Sequence, residues 1–220
     1  MAVLPMFPLG TVLLPGAVLP LHVFEPRYRR LVQDLLAGEP EFGVALIDRG
    51  SEVGGGDQRS RVGTVARLIQ VAELEDGRYA VLSVGTRRVK VTAWLPDDPY
   101  PLAEIDDWPD EEVVVGDASD LVAEVAAVHQ EVRRVVALAV ELGDMSADPA
   151  EEIADDPVLA SYHLSALAPL GPADRQRLLC APGPAARLAL LTELLSDVEA
   201  AMQFRLFGGR DESTGTSSPP

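Results

Sequence analysis

The chain has 220 residues, of which 47% are hydrophobic and 24% charged, with a formal net charge of −17. It is long enough for one large domain or two small ones, each burying a core. That acidity excludes a nucleic-acid binder driven by phosphate neutralisation, which needs a basic face.

The apolar N-terminus lacks the basic n-region of a signal peptide and carries Pro5, Pro8, Pro15 and Pro20. No apolar run reaches the length of about 18 residues that a membrane span needs. The single Cys180 has no partner for an intramolecular disulfide, so a soluble protein of the reducing cytoplasm is expected. Glu25-Pro26 opens a helix, with proline at the first helical position where a missing N–H costs nothing. It runs to about Ala37 and stops at Gly38. Phe42–Ile47 is a short apolar strand, and Gly54-Gly55-Gly56-Asp57 is a loop tip. The turn signal Asp76-Gly77 joins 67–75 to 78–84 as a β-hairpin. After Gly85, residues 88–95 alternate with period 2. Val89, Val91, Ala93 and Leu95 are expected to face a core, and Arg88, Lys90, Thr92 and Trp94 to face out. Residues 97–116 supply the last strand and a linker.

The second half reads as helix. Asp117 or Ser119 caps a helix that ends at Gly143, and Leu121, Val125, Val128, Val132, Val135, Ala139 and Leu142 form its seam. A second row, Val122, Ala126, Val136 and Val140, widens the stripe beyond a two-stranded coil, which favours a bundle helix. Asp156-Pro157 opens another helix, Pro172 a short one, and Pro184 a last one carrying Leu188, Leu191, Leu195, Val198 and Met202. The tail from Gly208 is expected to be disordered. Charge divides the same way: residues 1–90 sum to +1 and residues 91–220 to −18.

The motifs of catalysis are missing. There is no Gly-Lys dipeptide for a P-loop and no Gly-x-Ser-x-Gly elbow, and Lys90 is the only lysine. His22 and Glu25 are two ligands in search of a third, and His129 and His163 sit on helices as packing or hydrogen-bonding residues. No catalytic residue, metal site or cofactor is expected.

The run Met6-Phe7-Pro8-Leu9, Leu14-Pro15-Gly16 and Leu19-Pro20-Leu21-His22-Val23-Phe24-Glu25-Pro26-Arg27-Tyr28 resembles the opening of the N-terminal substrate-recognition domain of Lon proteases. The resemblance continues through Phe42-Gly43-Val44, Val62-Gly63-Thr64-Val65-Ala66, Asp76-Gly77-Arg78, Arg88-Val89 and Asp174-Arg175-Gln176, and spans roughly residues 3–207. It implies an α+β fold. An N-terminal antiparallel, β-barrel-like subdomain similar to the PUA superfamily, with one helix (1–110), precedes a C-terminal bundle of about four helices (117–207) and the tail (208–220).

The function it implies is non-enzymatic recognition of unfolded or tagged polypeptides, as an adaptor or regulator in protein quality control beside an ATP-dependent protease. The alternatives are a PUA-like RNA-binding module, which the acidic half disfavours, and a small-molecule or hydrolytic pocket between the halves. The candidate peptide-binding residues are His22, Phe24, Glu25, Arg27, Tyr28, Arg88 and Trp94, where the 20–28 segment meets the sheet and the bundle. Phe24 and Tyr28, four apart, are expected to share a face, and Arg27 and Arg30 to pair with acids on the sheet. Either a monomer or a homodimer is compatible with these surfaces.

Overall fold

The structure is a computed structural model, and it describes residues 2–49, 58–112, 118–144 and 152–208. The glycine-rich tip at 54–57, the end of the 97–116 linker and the tail beyond Gly208 lie outside the described residues.

Six strands, β1 (Ala2–Leu9), β2 (Val18–Val23), β3 (Glu41–Arg49), β4 (Gln58–Glu73), β5 (Tyr79–Leu95) and β6 (Leu102–Asp107), form one sheet in the order β2-β5-β4-β3-β1-β6. β5 also pairs with β6, so five strands close into a barrel, and β2 hangs on β5 with no second strand neighbour among the described residues. Every pairing is antiparallel except β1 with β3, which run parallel. β1 and β2 are strands that the proline-studded sequence conceals. The two segments expected on either side of Gly85 are one continuous strand, β5. Its first half pairs with β2 and its second with β6.

The expected hairpin is present as β4 and β5, paired from Glu73 opposite Tyr79. Gly77 at its turn has φ +74°, a conformation that costs glycine nothing and an L side chain much more. Inside the barrel, Met6, Ala45, Val65, Val89, Val91, Ala103 and Ile105 are buried together. A Cβ at Gly43 would collide with the Met6 side chain, so glycine makes room for the largest residue of this core.

Helix α1 (Pro26–Ala37) starts at proline and buries Tyr28, Leu31, Val32 and Leu35, one face of a 3.6-residue period, against the sheet. Helices α2 (Ala118–Glu141), α3 (Pro157–Leu167), α4 (Pro172–Leu179) and α5 (Pro184–Gly208) form the bundle. The Asp156 carboxylate caps α3 by accepting from the Leu159 amide at 2.8 Å. α2 and α5 run parallel, tied by Arg134 to Glu199 and by Arg205 to Asp144. The α2 seam is buried from Leu121 to Ala139, but the second row is not. Val136 is inside, whereas Val122, Ala126 and Val140 are exposed, so the stripe is narrower than its sequence suggests.

Candidate functional site

The barrel and the bundle meet across two buried contacts. Leu14, Tyr162 and Leu179 make a small apolar cluster. Beside it, Asp110 Oδ1 accepts from Arg187 Nη2 at 2.6 Å, from the Tyr162 hydroxyl at 3.0 Å, and lies 2.8 Å from Arg88 Nη2. Both guanidinium groups are inside the protein, Arg88 at 3% and Arg187 at 0% exposure.

One carboxylate does not neutralise two cations, and the backbone supplies the rest. Arg88 donates to the carbonyls of Leu179 (2.7 Å), Ala181, Trp108 and Pro109, and Arg187 to that of Leu178. Two of these carbonyls, those of Leu178 and Leu179, belong to the C-terminal end of α4, where the helix dipole favours positive charge. Trp108 and Tyr162 cover the Arg88 and Arg187 guanidinium planes at 4.2 and 3.5 Å. Burial raises the Tyr162 pKa, which keeps the hydroxyl protonated as a donor. Gln176 adds a further tie by donating to Ser60 Oγ and the Val62 carbonyl.

Arg88 therefore points inward, against the alternation that placed it outside. A long side chain can leave an outward strand position when a carboxylate and five carbonyls wait beneath the sheet edge. It is a joint between barrel and bundle, and it borders a separate depression of about 340 Å³ with Trp108, Pro109 and Asp110.

The 20–28 segment has a different character. The odd residues of β2, Leu19, Leu21 and Val23, face the core under α1, while Val18, Pro20 and His22 face out. The neighbouring strands continue this outer face with Ala80 and Leu82 from β5 and Gln70 and Ala72 from β4. The result is a shallow groove of about 450 Å³ without a charged group in its lining. At the other side of β2, a second depression of about 200 Å³ lies between Phe7 and Leu9 of β1, Leu21 and Val23 of β2, and Phe24, Glu25 and Tyr28. The two depressions share Pro20, Leu21 and His22.

Within this segment the expected residues separate. Tyr28 is buried and stacks on Phe7 with ring centroids 4.0 Å apart, a contact worth about 1 kcal/mol beyond its burial. Phe24 precedes the helix and is 55% exposed, so the two aromatics do not share a face. Arg27 lies over the Tyr28 ring and bonds Glu25 at 3.1 Å, and Arg30 bonds Asp34 of its own helix. Asp34 also accepts from the Tyr100 hydroxyl. The hydrogen bonds from Arg30 and Tyr100 hold its carboxyl below the usual range.

His22 and Glu25 rim the same depression, but Glu25 is engaged by Arg27. Among the described residues, no group of three or more His, Cys, Asp or Glu side chains is placed to hold a metal ion. Trp94 sits at the far end of β5, half-buried against the barrel core and covered by Arg59, well away from the 20–28 segment along the strand. His163 accepts from the Ala154 amide through Nδ1, as a hydrogen-bonding residue. Burial, with Arg133 nearby, lowers the His129 pKa, and its Nε2 has no partner among the described residues.

The sequence reading missed Pro20, Leu21, Ala72, Ala80 and Leu82, which build the groove. A signal for it existed: Tyr79-Ala80-Val81-Leu82-Ser83-Val84 is apolar on both phases of a strand, so one apolar row had to face outward. Among the described residues, no helix is long and apolar enough to cross a membrane.

Comparison with known proteins gives one consistent answer. The chain is 31% identical to the Lon protease of Anaeromyxobacter dehalogenans over 89% of its own length but only 23% of that protein's. It thus spans less than a quarter of this relative. A LON peptidase N-terminal domain and RING finger protein of Schizosaccharomyces pombe is 26% identical over 84% of this chain and 43% of its own. The crystal structure of a Lon N-terminal domain protein from Xanthomonas campestris superposes with a TM-score of 0.61 at 27% identity, covering 88% of this chain and 98% of that one. The N-terminal domain of a Mycobacterium avium complex Lon protease shares the fold, also at 0.61, with 19% identity. Residues 3–197 match the family model described as the ATP-dependent protease La (LON) substrate-binding domain, and the chain belongs to that family.

Proposed function

We propose that this chain is a non-enzymatic polypeptide-recognition module that captures apolar segments on the outer face of β2, β5 and β4. The observation that carries the reading is the uncharged groove over Pro20, His22, Ala72, Ala80 and Leu82, flanked by the exposed Phe24, in a molecule of net charge −17. A chain this acidic with a charge-free apolar face presents a surface suited to exposed apolar chain, and its membership of a substrate-binding family fits that use. Of the seven residues expected to bind, His22 and Phe24 remain as contacts, Tyr28 and Glu25 as walls of the second depression, and Arg27 as the partner that holds Glu25. Arg88, in the joint, and Trp94, at the far end of β5, lie outside the proposed surface.

The barrel (1–110) and the bundle (117–207) are two subdomains held as one body by the Asp110 joint. An adaptor or regulator in cytoplasmic protein quality control, delivering segments to an ATP-dependent protease, is the role such a module fits.

The test is fluorescence anisotropy with a labelled, end-capped peptide of alternating threonine and leucine. The native chain is expected to bind it with little dependence on salt, since no phosphate or charge pairing is involved. Phe24→Ser together with Leu82→Ser is expected to weaken binding about tenfold or more while leaving the fold intact. Equal binding by native and doubly substituted chains would overturn the proposal.

A further inference from the structure

β2 offers more than a face. Its pairing to β5 fixes which backbone groups are used. Ala17 accepts from Gly85, and the register then runs Leu19 opposite Ser83, Leu21 opposite Val81 and Val23 opposite Tyr79. In an antiparallel pair, bonded and non-bonded positions alternate, so the odd residues spend their N–H and C=O groups on β5. The even residues, Val18, Pro20 and His22, direct theirs away from the sheet. Pro20 agrees with this phase, because a residue without an N–H is tolerated in a strand where no ladder bond is lost.

β2 has β5 as its single neighbour in the sheet, and no hydrogen bond is made by the outward groups of Val18, Pro20 or His22 among the described residues. All three residues are exposed. The smaller depression, about 200 Å³, lies along this same edge on the core side, walled by Phe7, Leu9, Val23 and Tyr28.

We infer that an extended polypeptide segment docks on β2 as an added strand, its backbone paired to Val18, Pro20 and His22 and one uncharged side chain seated in the depression beside Tyr28. This rests on the recognition reading and adds its mode. Three features select the occupant. Unpaired amide and carbonyl groups at strand spacing match another backbone. Glu25, the carboxylate in the lining of the depression, is paired with Arg27 behind it, so the seated side chain meets no unpaired carboxylate and is apolar. The edge belongs to the half of the chain whose charges sum to +1, so β2 itself selects neither an acidic nor a basic strand; its Val18 end adjoins Glu152 and His163 of the bundle. Recognition of this kind reads backbone first and tolerates many sequences, with one preferred apolar side chain.

The experiment uses the same labelled Thr/Leu peptide and two N-methylated versions, one methylated at every threonine and one at every leucine. Side chains are unchanged, but one phase of N–H donors is removed in each. Only one phase of an added strand faces β2. Pairing therefore predicts that one version loses about 30-fold or more in affinity while the other binds within about threefold of the parent. Which version fails reads the direction of the added strand. Equal binding by both, or equal loss by both, would overturn strand addition while leaving the recognition reading in place. No binding by the parent peptide would overturn both.

A matched pair of protein variants gives the same answer from the other side. His22→Pro removes one outward N–H at a phase where Pro20 is already accommodated, and His22→Ala keeps it. His22→Pro is expected to weaken binding about fivefold relative to His22→Ala, with both chains equally folded by circular dichroism. No difference between two folded variants would count against the pairing.

Discussion

The joint at Asp110 and the outer face of β2 invert the usual rule in opposite ways. At the joint, two cations and a carboxylate are buried, and the donors and acceptors around them are matched. On β2, apolar side chains and backbone groups that a protein normally hides are left facing water. The contrast separates structure from function. Burying charge without a partner costs several kcal/mol, so a satisfied buried cluster is there to fix one geometry. An apolar, unpaired edge gains nothing for the isolated fold, so its use lies in what it meets. The same N-terminal segment supplies a barrel strand in β1 and, in β2, the edge proposed for recognition.

The largest effect expected is at the joint. Asp110→Asn leaves two guanidinium ions in the interior without their anion, and should cost about 3–5 kcal/mol. A fall in Tm of roughly 10 °C by calorimetry follows for a chain of this size. A change of only a degree or two would mean that the backbone carbonyls alone hold the two arginines. Leu191→Ala, in the fully buried seam of α5, should cost about 3 kcal/mol in chemical denaturation, as a cavity in a closed core does.

The exposed aromatics sharpen the contrast further. Phe24 and Phe204 are both exposed, at 55% and 78%, and serine at either should change stability by less than about 0.5 kcal/mol. Peptide affinity should drop several-fold for Phe24→Ser and stay unchanged for Phe204→Ser. Loss in both would point to unspecific stickiness rather than a site.

The smallest effect concerns acid. Burial works to raise the Glu41 pKa, but hydrogen bonds from Arg87 and Arg67 carry it below its ordinary value of 4.5. A lowered folded-state pKa gives stability that is present above 4.5 and is lost as pH falls through the folded value. Glu41→Gln should therefore flatten the acid limb of the stability curve by about 0.5 kcal/mol and leave neutral-pH peptide binding untouched.

Much of the helical half was legible because its signals are local. Asp156-Pro157, Pro172 and Pro184 mark helix starts, and the Leu121–Ala139 seam marks the buried side of α2. The exposure of Val122 and Val140 was not legible, because a residue at the margin of a stripe is covered only if a neighbouring helix reaches it. The N-terminal strands were hidden by their prolines. Pro5 and Pro20 read as breakers until pairing shows where each N–H would have pointed.

Arg88 failed for the same physical reason. Alternation predicts the direction of Cβ, and a guanidinium on a long stem can turn back to partners that come from the other half of the chain, ninety-one residues away at Leu179. The resemblance to Lon domains pointed to the segment 20–28, which borders both depressions beside β2. The groove itself came from residues on β4 and β5 that lie fifty or sixty positions further on.

The most direct test of recognition through β2 is amide NMR of the whole chain titrated with the unmodified Thr/Leu peptide. The account predicts shifts and lost exchange at Val18, Leu19, Leu21, His22 and Phe24 and at Ala80–Leu82, with the α2 and α5 amides unmoved. Perturbations centred on the bundle, or on the Arg88 joint, would contradict it.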